Sequence, residues 1–89
     1  MFDWDEHNIA HIDRHGVRPM EAEGAFLDPR RLGSPARNVG NEKRWAVLGA
    51  TGDGRVLLVV FTRRRGFVRV VTARDAMERE KQRYQRRGK

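Results

Sequence analysis

Val56-Leu57-Leu58-Val59-Val60-Phe61-Thr62, Arg63-Arg64-Arg65-Gly66, Phe67-Val68-Arg69-Val70-Val71-Thr72 and Ala73-Arg74-Asp75-Ala76-Met77-Glu78-Arg79-Glu80-Lys81-Gln82-Arg83-Tyr84 run without a break through the C-terminal third of the chain. The first piece is a nearly continuous apolar run of strand length, the pattern of a strand covered on both faces. The second is a turn of three arginines closed by glycine. The third returns as a strand, so the two form an antiparallel hairpin. The fourth has helical spacing. Thr72 and Asp75 fit a capping box that would start the helix at Ala73 and carry it to about Arg86. Ala73, Ala76, Met77, Glu80 and Tyr84 then share one side.

Upstream, Thr51-Gly52-Asp53-Gly54 is a second hairpin signal. It joins the central run to a strand over Lys43 to Ala50, with Trp45 and Val47 on one face. Arg30 to Asn41 is broken by Gly33, Pro35 and Gly40 and reads as a loop with some extended character. Pro19 suits the first turn of a helix in which Met20, Ala22, Ala25, Phe26 and Leu27 supply the buried side. Asp28-Pro29 ends it. Asp5 caps an earlier helix from about Glu6 to Arg14, with Ile9 and Ile12 as its apolar contacts and Gly16 as its terminator. Phe2-Asp3-Trp4 reads as a short strand. The expected order is β-α-α-β-β-β-α: an α+β domain, with a small antiparallel sheet, two N-terminal helices on one face and a C-terminal helix.

The chain has 89 residues and is expected to be a single domain over 1–89. It has no cysteine, which excludes disulfides and thiolate metal sites and suits a cytoplasmic location. No apolar run approaches the ~18 residues of a membrane span. The acidic start, Met1-Phe2-Asp3-Trp4-Asp5-Glu6, lacks the features of a secretory signal.

Net charge is +7 and unevenly placed. Residues 1–29 hold two basic and seven acidic side chains; residues 30–89 hold 17 basic and five acidic. That second part should attract polyanions. Sixteen of the 19 basic residues are arginine. Guanidinium groups match phosphate oxygens with paired hydrogen bonds, although a GC-rich genome enriches arginine as well.

Arg69 is a charge inside a strand, between Val68 and Val70. Pairing Thr62 with Phe67 would set Arg69 opposite Val60. The hairpin then shows Leu57, Val59, Phe61, Val68 and Val70 on one face, under the helices, and Leu58, Val60, Arg69 and Val71 on the other. A partly desolvated arginine needs a partner, and Glu80 on the inward side of the last helix is the natural one. The pair is either a structural bridge or a phosphate-binding arginine beside a carboxylate. Arg74, expected in the first helical turn, would be opposed by the helix dipole unless it meets phosphate there. Tyr84 is either a core-edge aromatic or a proton carrier or base-stacking ring. Arg63, Arg64 and Arg65, with Arg44 at the start of its strand, are either a solvated loop and edge or sequence-blind contacts to an RNA backbone. His7, His11 and His15 recur four residues apart. Two histidines so spaced can hold zinc, but no closed ligand set accompanies them, so no metal is assigned. His15 alone is a weaker acid or base candidate. No P-loop, nucleophile elbow or dinucleotide fingerprint is present.

Phe2-Asp3-Trp4-Asp5, His15-Gly16-Val17, Arg69-Val70-Val71-Thr72-Ala73-Arg74 and Glu80-Lys81-Gln82-Arg83-Tyr84 together resemble, in this order, the BrnT toxins of bacterial type II toxin–antitoxin systems. The first helix is about one residue shorter than in many of them. It carries His7-Asn8 and His11 where lysine and asparagine are common. Thr72 stands where serine is usual. The resemblance implies a fold similar to the RelE-type ribonucleases, metal-independent cleavage of RNA without a cofactor, and arrest of translation, with RNA, free or on the ribosome, as the substrate. It also implies neutralisation by a cognate DNA-binding antitoxin of BrnA type. On this reading Arg69 and Arg74 hold the phosphate. Glu80 moves a proton or positions an arginine, and Tyr84 is a second proton carrier or a stacking ring. Arg44, Arg63, Arg64 and Arg65 bind RNA, and the products are a 2′,3′-cyclic phosphate and a 5′-hydroxyl. The competing expectations are a non-catalytic nucleic-acid-binding module and a protein-interaction domain for an acidic partner.

Overall fold

A computed structural model describes residues 1–87. Helices α1 (Glu6–Asp13) and α2 (Pro19–Phe26) come first. Strands β1 (Leu32–Ser34), β2 (Trp45–Ala50), β3 (Val56–Arg64) and β4 (Phe67–Asp75) follow, then helix α3 (Glu78–Arg86). The four strands form one antiparallel sheet in the order β1-β2-β3-β4. The α+β class is as expected, and the element order is corrected at one end. Phe2 makes only an isolated parallel bridge to Val68, where a first strand was expected. The loop after α2 supplies β1 instead.

Two layers of side chains flank the sheet. Ile12, Val17, Ala22 and Ala25 from the helical layer pack on Leu57, Val59, Val70 and Ala73. On the other face Ala46, Leu48, Val56, Leu58 and Ala76 gather with Tyr84 of α3. β3 is therefore covered on both sides, which is why its apolar run does not alternate. α2 approaches β2 very closely: a Cβ added at Gly49 would lie 1.9 Å from the carbonyl oxygen of Ala25. Met20 and Leu27, expected on the buried side of α2, are exposed, and so is Ile9 of α1. Ala22, Ala25 and Ile12 make these contacts, because a close helix–sheet approach favours small side chains.

The β3–β4 hairpin is tighter than the four-residue turn expected from sequence. Arg63 and Arg64 belong to β3, and the turn is Arg65-Gly66, with φ of 53° and 82°. Both values are positive, as a two-residue type I′ turn requires. Arg64 faces Phe67 and Thr62 faces Arg69. This differs by two residues from the expected register, so the faces of β3 keep their expected parity. A bulge follows: Phe61 pairs with Val70, but Val60 pairs with Thr72. The extra residue shifts the alternation beyond Val71, which turns Ala73 into the α1–α2 core.

β4 runs on to Asp75, so the expected Thr72–Asp75 capping box does not form. Ladder pairing with Val60, Val59, Leu58 and Leu57 holds these residues extended. The cap of α3 is Met77, whose N–H donates to Glu80 Oε1 at 2.8 Å. Ala73 and Met77 thus lie outside the helix. Arg74, expected in the first helical turn, is a strand residue opposite Leu58.

Candidate functional site

Asp5 and Asn8 build one wall of the site. Asp5 accepts from the N–H groups of His7 and Asn8, and Asn8 Oδ1 accepts from Asp5 N–H at 2.8 Å, a reciprocal cap. Asn8 is buried, and its Nδ2 donates to the carbonyls of Asp3 and Val70. This amide fastens the N-terminal segment and α1 to β4. Trp4 adds a hydrogen bond from Nε1 to Glu23 at 2.7 Å.

Fixed in this way, α1 turns His7 and His11 toward the end of the sheet. There they border a groove of about 250 Å³ with Arg44, Thr62, Arg64 and Arg69. His11 Nε2 lies 3.1 Å from Thr72 Oγ1. Arg44 is paired with Glu42 at 2.9 Å, and Glu42 also borders the groove. Arg64 makes no ion pair among the described residues. A second groove of about 500 Å³ adjoins the first and shares Arg64 and Arg69 with it. Its wall includes Arg65, Phe67 and the acidic N-terminal segment.

Arg69 does not meet Glu80. Its guanidinium lies between two carboxylates of the N-terminal segment, with Nη1 3.1 Å from Asp5 Oδ2 and 3.6 Å from Asp3 Oδ2, and Nη2 3.3 Å from Asp5 Oδ1. These contacts are long or poorly aligned. Nη1 is buried and makes no hydrogen bond of proper geometry, although its charge is within reach of both acids. The hydrogen bond from Arg69 is the main reason that the Asp5 carboxyl is held below its ordinary pKa.

Glu80 pairs instead with Arg74, in two parallel bonds of 2.8 and 3.1 Å. That bidentate contact is the chief cause of the lowered pKa of Glu80. Glu80 thus partners Arg74 rather than the expected Arg69, because β4 runs on to Asp75 and brings Arg74 to the start of α3. Tyr84 packs at the edge of the second core and donates its hydroxyl to Asp28. Burial, then the Asp28 bond, push its pKa above the ordinary tyrosine value, against work as a general base. Burial would raise the Asp28 carboxyl, but bonds from Tyr84 and from the N–H groups of Ala50 and Arg30 outweigh it and hold the pKa low.

The structure therefore gathers Arg44, Arg64 and Arg69 of the predicted residues at one groove, with Arg65 at the next. Arg63 is exposed on β3 and borders neither groove. Arg74, Glu80 and Tyr84 tie α3 to the sheet and to Asp28. His15 lies beyond α1 and borders neither groove. From the sequence, His7 and His11 are candidate metal ligands or side chains that cap, pair locally or face other helices, and not proton carriers. Their spacing of four did place them on one stripe, but only the docking of α1 against β4 shows that the stripe meets arginines. Among the described residues, no group of three or more histidine, aspartate or glutamate side chains is placed to hold a metal ion. No described helix is long and apolar enough to cross a membrane.

A family model described as the ribonuclease toxin, BrnT, of type II toxin–antitoxin systems matches residues 4–80. The chain belongs to the BrnT family. The matched span includes the first groove, the second apart from Phe2 and Asp3, α1 with its cap, and Glu80 at the start of α3. Membership carries the coarse function of the family, a ribonuclease toxin, together with its two kinds of partner, an RNA substrate and an antitoxin. A comparison with curated proteins finds no relative that matches.

Proposed function

We propose that this BrnT protein cuts RNA in the groove between α1 and the β3–β4 hairpin, by attack of the ribose 2′-hydroxyl on the adjacent phosphate. RNA supplies the nucleophile. The protein need only align it, remove a proton, stabilise charge on the phosphoryl oxygens and protonate the leaving oxygen. Three arginines and two imidazoles beside one groove match that list, and this is the observation that carries the reading. Arg69 and Arg64 take the phosphate, and Arg44 supports the charge from the far side. His7 and His11 carry the protons, imidazole being the side chain best suited to do so near neutral pH. The products are a 2′,3′-cyclic phosphate and a 5′-hydroxyl, and the reaction needs neither metal nor cofactor. Arg74, Glu80 and Tyr84 are assigned to holding α3, since they tie it to the sheet and to Asp28 and border neither groove.

The arrangement of a four-stranded antiparallel sheet with helices on both faces supports a RelE-like fold. The partner that neutralises the toxin is then a DNA-binding protein of BrnA type, and the site of action is the cytoplasm, on mRNA that the ribosome presents. The strongly basic chain fits an RNA substrate on charge alone.

The test is cleavage of RNA by the purified protein in excess chelator, with Arg69→Met and His11→Asn alongside. Parental cleavage should persist, and each variant should lose on the order of 10²–10³-fold in rate while keeping its fold. Loss of parental cleavage with chelator would remove the metal-free mechanism. Full activity in both variants would remove the site.

A further inference from the structure

The second groove has a chemistry unlike the first. Phe67 opens β4 directly after the turn and is 47% exposed. Its ladder partner is Arg64, and Arg65 lies beside it in the turn. Across the groove stand Asp3 and Asp5 of the N-terminal segment. Carboxylates repel a phosphate chain, so this wall does not suit the RNA backbone. They do accept hydrogen bonds from amino groups on base edges. An exposed aromatic ring flanked by arginines is the usual platform for an unpaired base. Arg64 and Arg69 border both grooves, so a phosphate held there has the histidine groove on one side and this ring on the other.

We propose that this second groove is a nucleobase subsite. Phe67 stacks one unpaired base next to the scissile phosphate, and Asp3 reads its edge, which favours a base with an exocyclic amino group over uracil. This rests on the function proposed above and narrows it: the substrate is single-stranded where it is cut, and the site has a base preference. Asp3 carries the discrimination because Asp5 is already occupied as the cap of α1 and as the nearer partner of Arg69. A duplex cannot use the platform, since its bases are already stacked.

The experiment measures binding of the purified full chain to 2′-O-methyl hexanucleotides of A, C and U, which cannot be cut because the nucleophile is blocked. Phe67→Ala should weaken binding to all three by about 5- to 100-fold, while Phe67→Tyr keeps it. Phe67 is exposed, so its variants should melt with the parent. The uracil hexamer should bind least well to the parent, and Asp3→Asn should abolish that difference whatever it does to overall affinity. Equal binding by Phe67→Ala and the parent would overturn the proposal. A uracil penalty that survives in Asp3→Asn would do the same. A Phe67→Ala protein that binds RNA normally but escapes neutralisation by co-expressed antitoxin would assign the groove to the protein partner instead. Arg69→Met separates the two levels. If it binds every hexamer as well as the parent, the phosphate site itself is wrong. If it binds weakly while Phe67→Ala binds well, only the base subsite fails.

Discussion

Replacing Glu80 tests whether this carboxylate reacts with substrate or holds the fold. It accepts two bonds from Arg74, at 2.8 and 3.1 Å, and one from the N–H of Met77, at 2.8 Å. The Arg74 side chain is 34% exposed and that of Glu80 13%, so solvent screens the pair in part. An ion pair in that setting contributes about 0.5–1 kcal/mol. The cap at Met77 adds about 0.5–1 kcal/mol. Glu80→Ala should therefore cost about 1–2 kcal/mol, a drop in thermal midpoint of about 4–16 °C for a domain of this size. Glu80→Gln keeps an oxygen for Met77 and loses only the charge pair, so its cost should be about half as large. Both variants, once folded, should cut RNA at nearly the parental rate. Differential scanning calorimetry and a chelator-buffered cleavage assay on the same preparations give the two readouts. Parental midpoints in both variants would refute the structural role. A Glu80→Gln protein with parental stability and a hundredfold loss in rate would make Glu80 a reacting group and undo the assignment of the site to α1.

Gly49→Ala should be far more damaging than its size suggests. The new methyl would meet the Ala25 backbone at 1.9 and 2.7 Å, so α2 must move off the sheet. That should cost about 3 kcal/mol from a total of roughly 5–13 kcal/mol for 89 residues, and an unchanged urea midpoint would contradict the packing. Acid should destabilise the protein from near pH 5 downward, because Asp5, Asp28, Asp75 and Glu80 all have lowered pKa values when folded. The sign follows from linkage: the unfolded chain binds protons first, near 3.8 for aspartate and 4.5 for glutamate, so stability is whole above those values and drains as pH falls through the folded ones. Glu80→Gln should lose less stability between pH 5 and pH 3 than the parent, and identical slopes in urea titrations would count against the Arg74–Glu80 pair.

The parts of the fold that follow short-range rules were legible in the residues. Thr51-Gly52-Asp53-Gly54 does join two strands, and the apolar run from Val56 is the central one. Asp5 caps α1, and Gly16 takes the left-handed φ of 70° that ends it. The errors cluster where long-range pairing overrides a local signal. Thr72-Ala73-Arg74-Asp75 has the spacing of a cap, yet four ladder partners on β3 keep it extended. Arg65 adopts φ of 53° without being glycine, asparagine or aspartate, so nothing local marks a two-residue turn there. The candidate site divides in the same way. Arg69, Arg64 and Arg44 stand out as charges on strands or at a strand edge, whereas the value of His7 and His11 depends on α1 docking beside β4, sixty residues away in sequence.

The two prominent arginines of β4 lie on either side of the bulge at Val71, and their ion pairs differ in kind. Arg74, beyond the bulge, meets the start of α3 and is clamped by short, parallel, well-aligned bonds to Glu80. Such a contact is a poor place for substrate, because phosphate would have to displace a bidentate carboxylate that also caps a helix. Arg69, before the bulge, meets the N-terminal segment through longer and misaligned contacts, one of its nitrogens lacking any proper acceptor. Asp5 also has bonds to the first turn of α1, which do not depend on Arg69. The difference in bond quality, rather than charge, is the reason for proposing Arg69 and not Arg74 as the phosphate ligand. Arg69 and Arg74 are an odd number of residues apart, so strict alternation would set them on opposite faces; the extra residue sets both opposite residues on one face of β3, Thr62 and Leu58. Their different partners follow from their places toward opposite ends of β4, one beside the N-terminal segment and the other beside the start of α3.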